Sequence, residues 1–136
     1  MTSSAWALKA AIKAALETDP SLIAMLGDPP PVHDRVADGA ALPYIAFGDW
    51  KVDEDDTDDA RIDRHVFMIE VWSSYAGLKE AKAIASVIEA ALHGAALDPV
   101  DHALIDLSFI GAAFGQDQKE GLSEAMLRFR ALTQKI

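Results

Sequence analysis

Three histidines stand close to aspartates and are the residues best suited to acid–base or nucleophilic chemistry. They occur in the short segments His33-Asp34, Asp63-Arg64-His65 and Asp101-His102. An imidazole beside a carboxylate can activate a serine, but no serine next to these histidines lies in a Gly-x-Ser-x-Gly elbow. Because the three segments are unrelated, the pattern is typical of surface or strand histidines. An enzyme built on His33, His65 or His102 with a nearby aspartate is a minor alternative.

Metal and cofactor sites find little support in the sequence. The chain has no cysteine, which excludes disulfides, thiolate zinc sites and iron–sulfur clusters. The stretch from Gly111 to Gly115 lacks the Lys-Ser/Thr ending of a phosphate-binding loop and lies in a predicted strand. We therefore predict no cofactor and no metal centre.

One acidic run offers oxygen ligands. Six carboxylates fall within seven residues, and together they are called the acidic loop: Asp53, Glu54, Asp55, Asp56, Asp58 and Asp59. The run fails as a calcium loop because Asp58 stands where glycine is needed and Arg64 where a glutamate is needed. Mutually repelling carboxylates with nothing apolar to bury predict a solvated loop between two strands. Weak divalent-ion binding and repulsion of a polyanion are the alternatives.

Length and charge restrict the class of protein. With 136 residues the chain is too short for two ordinary domains and long enough for one core. A formal net charge of -10 disfavours a nucleic-acid-binding surface, because the acids repel phosphate. The start, Met1 to Lys9, has no leader pattern, and no stretch approaches the roughly 20 apolar residues of a membrane span. We expect a soluble cytoplasmic product without membrane contact.

Apolar periodicity predicts an α+β fold. The predicted helical segments are Ala5–Glu17, a short turn Ser21–Leu26, and Gly77–His93. The predicted strands are Val32–Ala37, Tyr44–Val52, Arg61–Ser73, Ala103–Phe114 and Leu122–Thr133. This order favours an antiparallel or mixed sheet of about four to five strands with two main helices packed on one face.

The last two predicted strands form a hairpin. A turn centred at Gln118 fixes their register. The expected cross-strand pairs are Leu107 with Phe129, Phe109 with Leu127, and Asp106 with Arg130.

The predicted strand Arg61–Ser73 is apolar on both faces. Its second face is largely apolar and reads Arg64, Val66, Met68, Glu70 and Trp72. A strand of this kind is covered on both sides, whereas the outer face of a small antiparallel sheet is normally polar. The second cover is therefore either the proline-rich segment before the first strand or another subunit.

Trp6 is a further candidate contact residue. At helical spacing it points nearly opposite to Leu8 and Ile12, away from the inferred core. It folds over an adjacent loop, belongs to a frayed first turn, or contacts a partner chain, since aromatic residues are enriched at interfaces.

Several of these stretches resemble the signature of a known family. They are the strand Arg64 to Ser73, then Gly77, Glu80-Ala81, Ile84-Ala85 and Ala91-Leu92, preceded by Leu42-Pro43-Tyr44-Ile45 and followed by Met126 to Arg130. In order and spacing they resemble the tail-completion family, the tail terminator proteins of long-tailed bacteriophages and phage-like gene transfer agents. The acidic loop departs from that pattern.

The resemblance implies a single tail-terminator-like domain over residues 1–136. Such proteins assemble as a ring, usually a hexamer, on the head-proximal end of the tail tube, where they stop polymerisation and join tail to head. The implied partners are copies of the chain itself, the tail tube protein and a head-completion or neck protein. The implied location is the virion tail after assembly in the bacterial cytoplasm. DNA would pass the channel without specific binding, and we hypothesise that the acidic loop faces that lumen.

Other functions fit the sequence less well. A head-completion or neck adaptor would share the ring but bind the portal side. A monomeric acidic module for a basic partner would show steep salt dependence and no self-association.

Overall fold

The computed structural model describes residues 3–74, 77–117 and 120–136. In chain order the elements are α1 (Ser4–Glu17), α2 (Pro20–Leu26), β1 (Val32–His33), β2 (Tyr44–Glu54), β3 (Ile62–Ser73), α3 (Lys79–Leu92), β4 (His102–Asp117) and β5 (Leu122–Lys135). The strands form one five-stranded sheet in the order β1-β2-β3-β5-β4. Only the β1–β2 pair is parallel among these neighbours. The predicted α+β class is confirmed.

Capping residues and apolar spacing define the first two helices. The Ser3 side chain accepts a hydrogen bond from the Trp6 backbone N–H and so caps α1. Leu8, Ile12 and Leu16 recur every four residues and are fully buried. Asp19 caps α2 in the same way, by accepting from Leu22 N–H.

The core lies between the three helices and one face of the sheet. Phe67 of β3 is fully buried and stacks on Trp50, with ring centroids 4.1 Å apart. On its other side Phe67 stacks on Phe129 of β5 at 5.6 Å. Ile84 and Ile88 of α3 belong to the same buried cluster. Burial of this apolar layer stabilises the fold through the hydrophobic effect.

The first strand is shorter than predicted. β1 contains only Val32 and His33, because its parallel pairing with β2 is limited to Ile45 and Ala46. Conversely, β2 continues past Val52 to Glu54, since Asp53 and Glu54 still pair with β3. Two of the six acidic-loop residues therefore belong to a strand.

The predicted register of the β4–β5 hairpin is wrong by two residues. Phe109 lies opposite Phe129 instead of Leu127, Leu107 opposite Ala131, and Asp106 opposite Leu132, while Arg130 faces Ser108. The strands pair as far as Asp117 and Leu122, which moves the turn toward the C-terminus. Between Gly111 and the turn the register differs from the prediction by three residues, and the bulge between Phe109 and Gly111 reduces this difference to two for the pairs named above. The predicted turn centre, Gln118, lies outside the described residues.

The proline-rich segment does not cover the second face of β3. Pro31 lies at the sheet edge, where its carbonyl accepts a hydrogen bond from Ile45 N–H. All three helices contribute to the single core cluster on the first face of the sheet, with Phe67 and Ile69. Within the described part of the chain, no helix therefore covers the second face around Val66 and Met68.

Candidate subunit interface

The uncovered face of the sheet presents an apolar centre. Alternation along β3 points Val66, Met68 and Trp72 to this face, and all three are half-buried. The β3–β5 register sets Val66 beside Arg130 and Met68 beside Arg128. An open depression of about 260 Å³ adjoins Met68, and its lining consists of Met68, Ile110, Gly111, Ala112, Ala113, Met126 and Arg128. Single-chain folding thus leaves several apolar side chains in partial contact with water.

A polar contact fixes the orientation of Trp72. Its indole Nε1–H donates to Glu70 Oε1 at 3.1 Å. The same carboxylate lies over Gly48 of β2, where an added Cβ would be only 2.6 Å from Glu70 Oε2. Glycine at position 48 therefore makes room for the carboxylate that holds the tryptophan ring. The neighbouring irregularity in β2 pairing falls between Phe47 and Trp50.

Four cations surround the apolar centre. Lys51 and Arg130 flank Val66 from the two neighbouring strands, and Arg64 and Arg128 occupy the adjacent positions on the same face. These four exposed residues are called the basic face: Lys51, Arg64, Arg128 and Arg130. Lys51 Nζ lies 3.5 Å from Asp53 Oδ2 in an exposed ion pair. Across the described ranges, none of the three arginines forms an ion pair.

Trp6 belongs to a different surface. It lies on α1 in the helical layer and is 61% exposed, as its helical position predicts. The hydroxyl of Ser4 donates to Asp63, which places this end of α1 near the start of β3. Trp72 lies nine residues beyond Asp63 on β3, which corresponds to about 30 Å at the usual rise per residue of a strand. The structure therefore separates Trp6 from Val66, Met68 and Trp72, and their contact role stays a prediction.

The acidic loop is an ordered extension of the β2–β3 hairpin. Asp55 N–H donates to the Ile62 carbonyl at 2.8 Å, and Thr57 N–H donates to the Ala60 carbonyl at 2.9 Å. The carboxylate of Asp56 accepts from Ile62 N–H at 2.9 Å. Five of the six acidic residues are exposed, namely Glu54, Asp55, Asp56, Asp58 and Asp59, whereas Asp53 is half-buried. The loop thus holds its charges in solvent at one end of the sheet.

His65 is buried and used structurally. Its Nδ1 accepts the Trp50 Nε1–H at 3.0 Å, because an indole nitrogen only donates. The neutral ring therefore carries its proton on Nε2, which donates to Thr133 Oγ1 at 3.0 Å. Burial lowers the pKa of His65 from 6.5 to about 4, opposed by the charge of Asp63 and aided by that of His102. Both ring nitrogens are engaged within the fold.

The other two histidines do not join His65 in a catalytic arrangement. His33 lies on the edge strand β1, two strands away from His65 on β3. Its ring makes an edge-on contact with the ring of Tyr44, with ring centroids 5.4 Å apart. His102 Nδ1 donates to the Val100 carbonyl at 2.7 Å. Among the residues with described positions, no three His, Asp or Glu side chains are grouped to hold a metal ion. The helices in those same ranges all fall short of the length and hydropathy needed to span a bilayer.

The basic face was missed by sequence reasoning. Its signal is the Arg-x-Arg pattern of Arg128 and Arg130, two residues apart on a predicted strand and so on one face. The predicted register paired Arg130 with Asp106, which would have neutralised it. In the structure Arg130 faces Ser108, and the charge stays available.

Comparisons with known proteins agree with this architecture. The family described as "Tail completion protein gp17" matches residues 10–134. A chain of the "Virion of native gene transfer agent (GTA) particle" is similar to this protein, with a TM-score of 0.88 and 30% sequence identity. That similarity covers 98% of this chain and 99% of the other. No curated protein matches the sequence.

This protein belongs to the tail completion protein gp17 family. Membership makes it a structural component of a phage-type tail, as the resemblance in its central strand and third helix implies. The uncovered sheet face, with its apolar centre, is consistent with a protein that functions in contact with other chains.

Proposed function

We propose that this protein forms a ring on the head-proximal end of a phage-type tail tube, ends tube polymerisation and joins the tail to the head. The observation that carries the proposal is the uncovered sheet face around Val66 and Met68 in a chain of the tail completion family. A half-buried apolar centre rimmed by arginine is the composition of a protein–protein interface.

Two separate surfaces favour a ring over a two-fold dimer. Trp6 projects from the helical layer, whereas Trp72 projects from the uncovered sheet face at the other end of β3. A contact that joins two different surfaces is head-to-tail, and such contacts close into rings when the rotation permits. The ring is a hexamer by analogy with the family, and the tube protein and a neck protein bind its two sides.

The lumen of the ring is one of two positions considered for the acidic loop, and it would give the loop a role in DNA passage. If it faces the lumen of the ring, its carboxylates repel the phosphate backbone and let the duplex slide without binding. Replacement of all six acids by the matching amides, from Asp53 to Asp59, then slows or blocks DNA delivery while the tails remain capped. Unchanged delivery from such particles contradicts the lumen position.

Electron microscopy of particles produced without this gene tests the proposal, with tail length and head attachment scored together. Termination predicts tails of uncontrolled length without heads, restored by the wild-type gene in trans. Tails of normal length that lack heads assign the protein to the neck instead. Intact particles refute a role in tail completion and favour the acidic binding module.

A complementation series then tests the contact residues. Val66→Asp and Met68→Asp place a charge in the apolar centre, and we expect neither variant to restore capped tails. Glu89→Lys, on the exposed side of α3, is the control that should restore them. Circular dichroism of each purified variant verifies that the fold is kept.

A further inference from the structure

Four cations lie together around the apolar centre of an acidic molecule, and Asp53 and Asp106 share that face of the sheet. The chain has 12 Lys and Arg residues against 22 Asp and Glu. Four of the 12 lie together on the basic face, around Val66 and Met68. A chain of net charge -10 gains little from such a cluster in solution, so its placement on the uncovered face indicates a contact with an acidic partner.

The chain itself leaves most of this charge unneutralised. Arg64, Arg128 and Arg130 are exposed and, within the described segments, form no ion pair. Arginine is the cation preferred at interfaces, because its planar fork binds carboxylates in two-point geometry and is weakly hydrated. The basic face is thus arranged to receive carboxylates.

The acidic loop has the matching chemistry. Its hydrogen bonds from Asp55 and Thr57 continue the β2–β3 hairpin beyond the sheet and hold the carboxylates outward. Glu54 lies 3.7 Å from Arg61 in an exposed pair, whereas Asp58 and Asp59 form no ion pair within the described parts of the chain. Opposite charges of this density attract strongly at low salt.

We propose that the acidic loop of one copy docks on the basic face of the next copy. The contact covers Val66 and Met68 and pairs the loop carboxylates with Arg128 and Arg130. Asp58 and Asp59 lie between β2 and β3 at the end of the hairpin, whereas Arg128 and Arg130 lie on β5 beside Met68 and Val66, so the contact joins two different parts of the surface and is head-to-tail. The inference rests on the proposed ring, and it places the loop between subunits instead of in the lumen.

Cysteine pairs test this contact directly, because the chain has no cysteine of its own. Particles are assembled with the Asp58→Cys/Arg130→Cys variant and treated with diamide as oxidant. Docking predicts a ladder of covalent oligomers on a non-reducing gel, which collapses to monomer with reductant. The Asp58→Cys/Glu89→Cys variant is the control, since Glu89 lies on α3 in the other layer. A ladder no stronger than in the control overturns the inference.

Charge exchange provides an independent test in capped tails. Arg128→Glu/Arg130→Glu and Asp55→Lys/Asp58→Lys/Asp59→Lys should each lower the yield of capped tails by about tenfold or more. The combined variant restores opposite charges between Arg128 and Arg130 and the three changed loop positions, and it should regain most of that loss. Arg35→Glu/Lys79→Glu reverses two exposed charges elsewhere and should leave the yield within about twofold of wild type.

Each other outcome has a defined meaning. If the loop variant caps tails normally but impairs DNA delivery, the loop faces the lumen and the inference is wrong. If the face variant caps tails normally but the wild-type protein binds duplex DNA that the variant does not, the basic face binds nucleic acid. Either result leaves the proposed ring intact, whereas intact particles without the gene refute the proposed function itself.

Discussion

The two faces of β3 differ sharply although their residues alternate along one strand. The inner face is fully buried by the chain's own helices, and its Phe67 stacks between two aromatic rings. The outer face carries Val66 and Met68 among arginines and is only half-buried. The inner face is complete in one chain, and the outer face is suited to contact with another. Substitutions on the inner face should therefore mainly lower stability, whereas substitutions at the neighbouring outer-face residues should mainly impair assembly.

The largest effect on stability is expected for the inner face. Phe67→Ala removes a fully buried ring and leaves a cavity, which should lower the free energy of unfolding by about 3–5 kcal/mol. Met68→Ala, one residue away on the outer face, should cost about 1 kcal/mol or less. Urea unfolding of both variants measures the difference. Equal losses would contradict the distinction between the two faces.

The pH dependence of stability tests the inner face at His65. Its pKa falls from 6.5 in the unfolded chain to about 4 in the folded protein, so the unfolded chain binds a proton first as the pH falls. The contribution of this pKa difference to the free energy of unfolding is therefore fully present above pH 6.5 and is lost between about pH 6.5 and 4. The slope should not exceed about 1.4 kcal/mol per pH unit.

Carboxylates titrate in part of the same range, so the measurement needs a reference. His65→Asn keeps an oxygen that can accept from Trp50 but does not titrate. We expect the difference between the unfolding free energies of wild type and variant to change across this window. A difference that stays constant with pH would show that His65 does not resist protonation in the fold.

On the outer face, Gly48→Ala probes the support of Trp72. The new Cβ would meet Glu70 Oε2 at 2.6 Å and Met68 Cβ at 3.3 Å, so the carboxylate must turn away from the indole. We expect a loss of about 1 kcal/mol in the free energy of unfolding and a change in the tryptophan fluorescence of the protein. The double variant Gly48→Ala/Glu70→Ala removes the close approach to the carboxylate. It should lose less stability than the sum of its two single variants.

The smallest stability effect is expected at Trp6. Because its side chain is 61% exposed, Trp6→Ser should change the free energy of unfolding by no more than about 0.5 kcal/mol. If Trp6 contacts a partner chain, the same variant nevertheless lowers the yield of capped tails. Normal yield would instead indicate that the exposed tryptophan has no role in assembly.

Local patterns in the sequence were sufficient to predict the elements and their inward faces. The spacing of Leu8 and Ile12 placed both in the core, where they are fully buried. The hairpin register was wrong by two residues, yet Leu107 and Phe129 still point inward, because a shift of two preserves the pleat. Periodicity fixes which face a residue occupies without fixing its partner.

Which residues face each other across the sheet depended on the tertiary structure. Where β4 ends, and where its bulges fall, decided that Arg130 faces Ser108 and keeps its charge. The use of both His65 ring nitrogens depends on Trp50 and Thr133, which are distant in sequence and adjacent only across the sheet. Helical and strand patterns arise from neighbours along the chain, so the sequence displays them directly. Cross-strand contacts arise from long-range pairing, and the uncovered face with its basic residues became visible only when all five strands were in register.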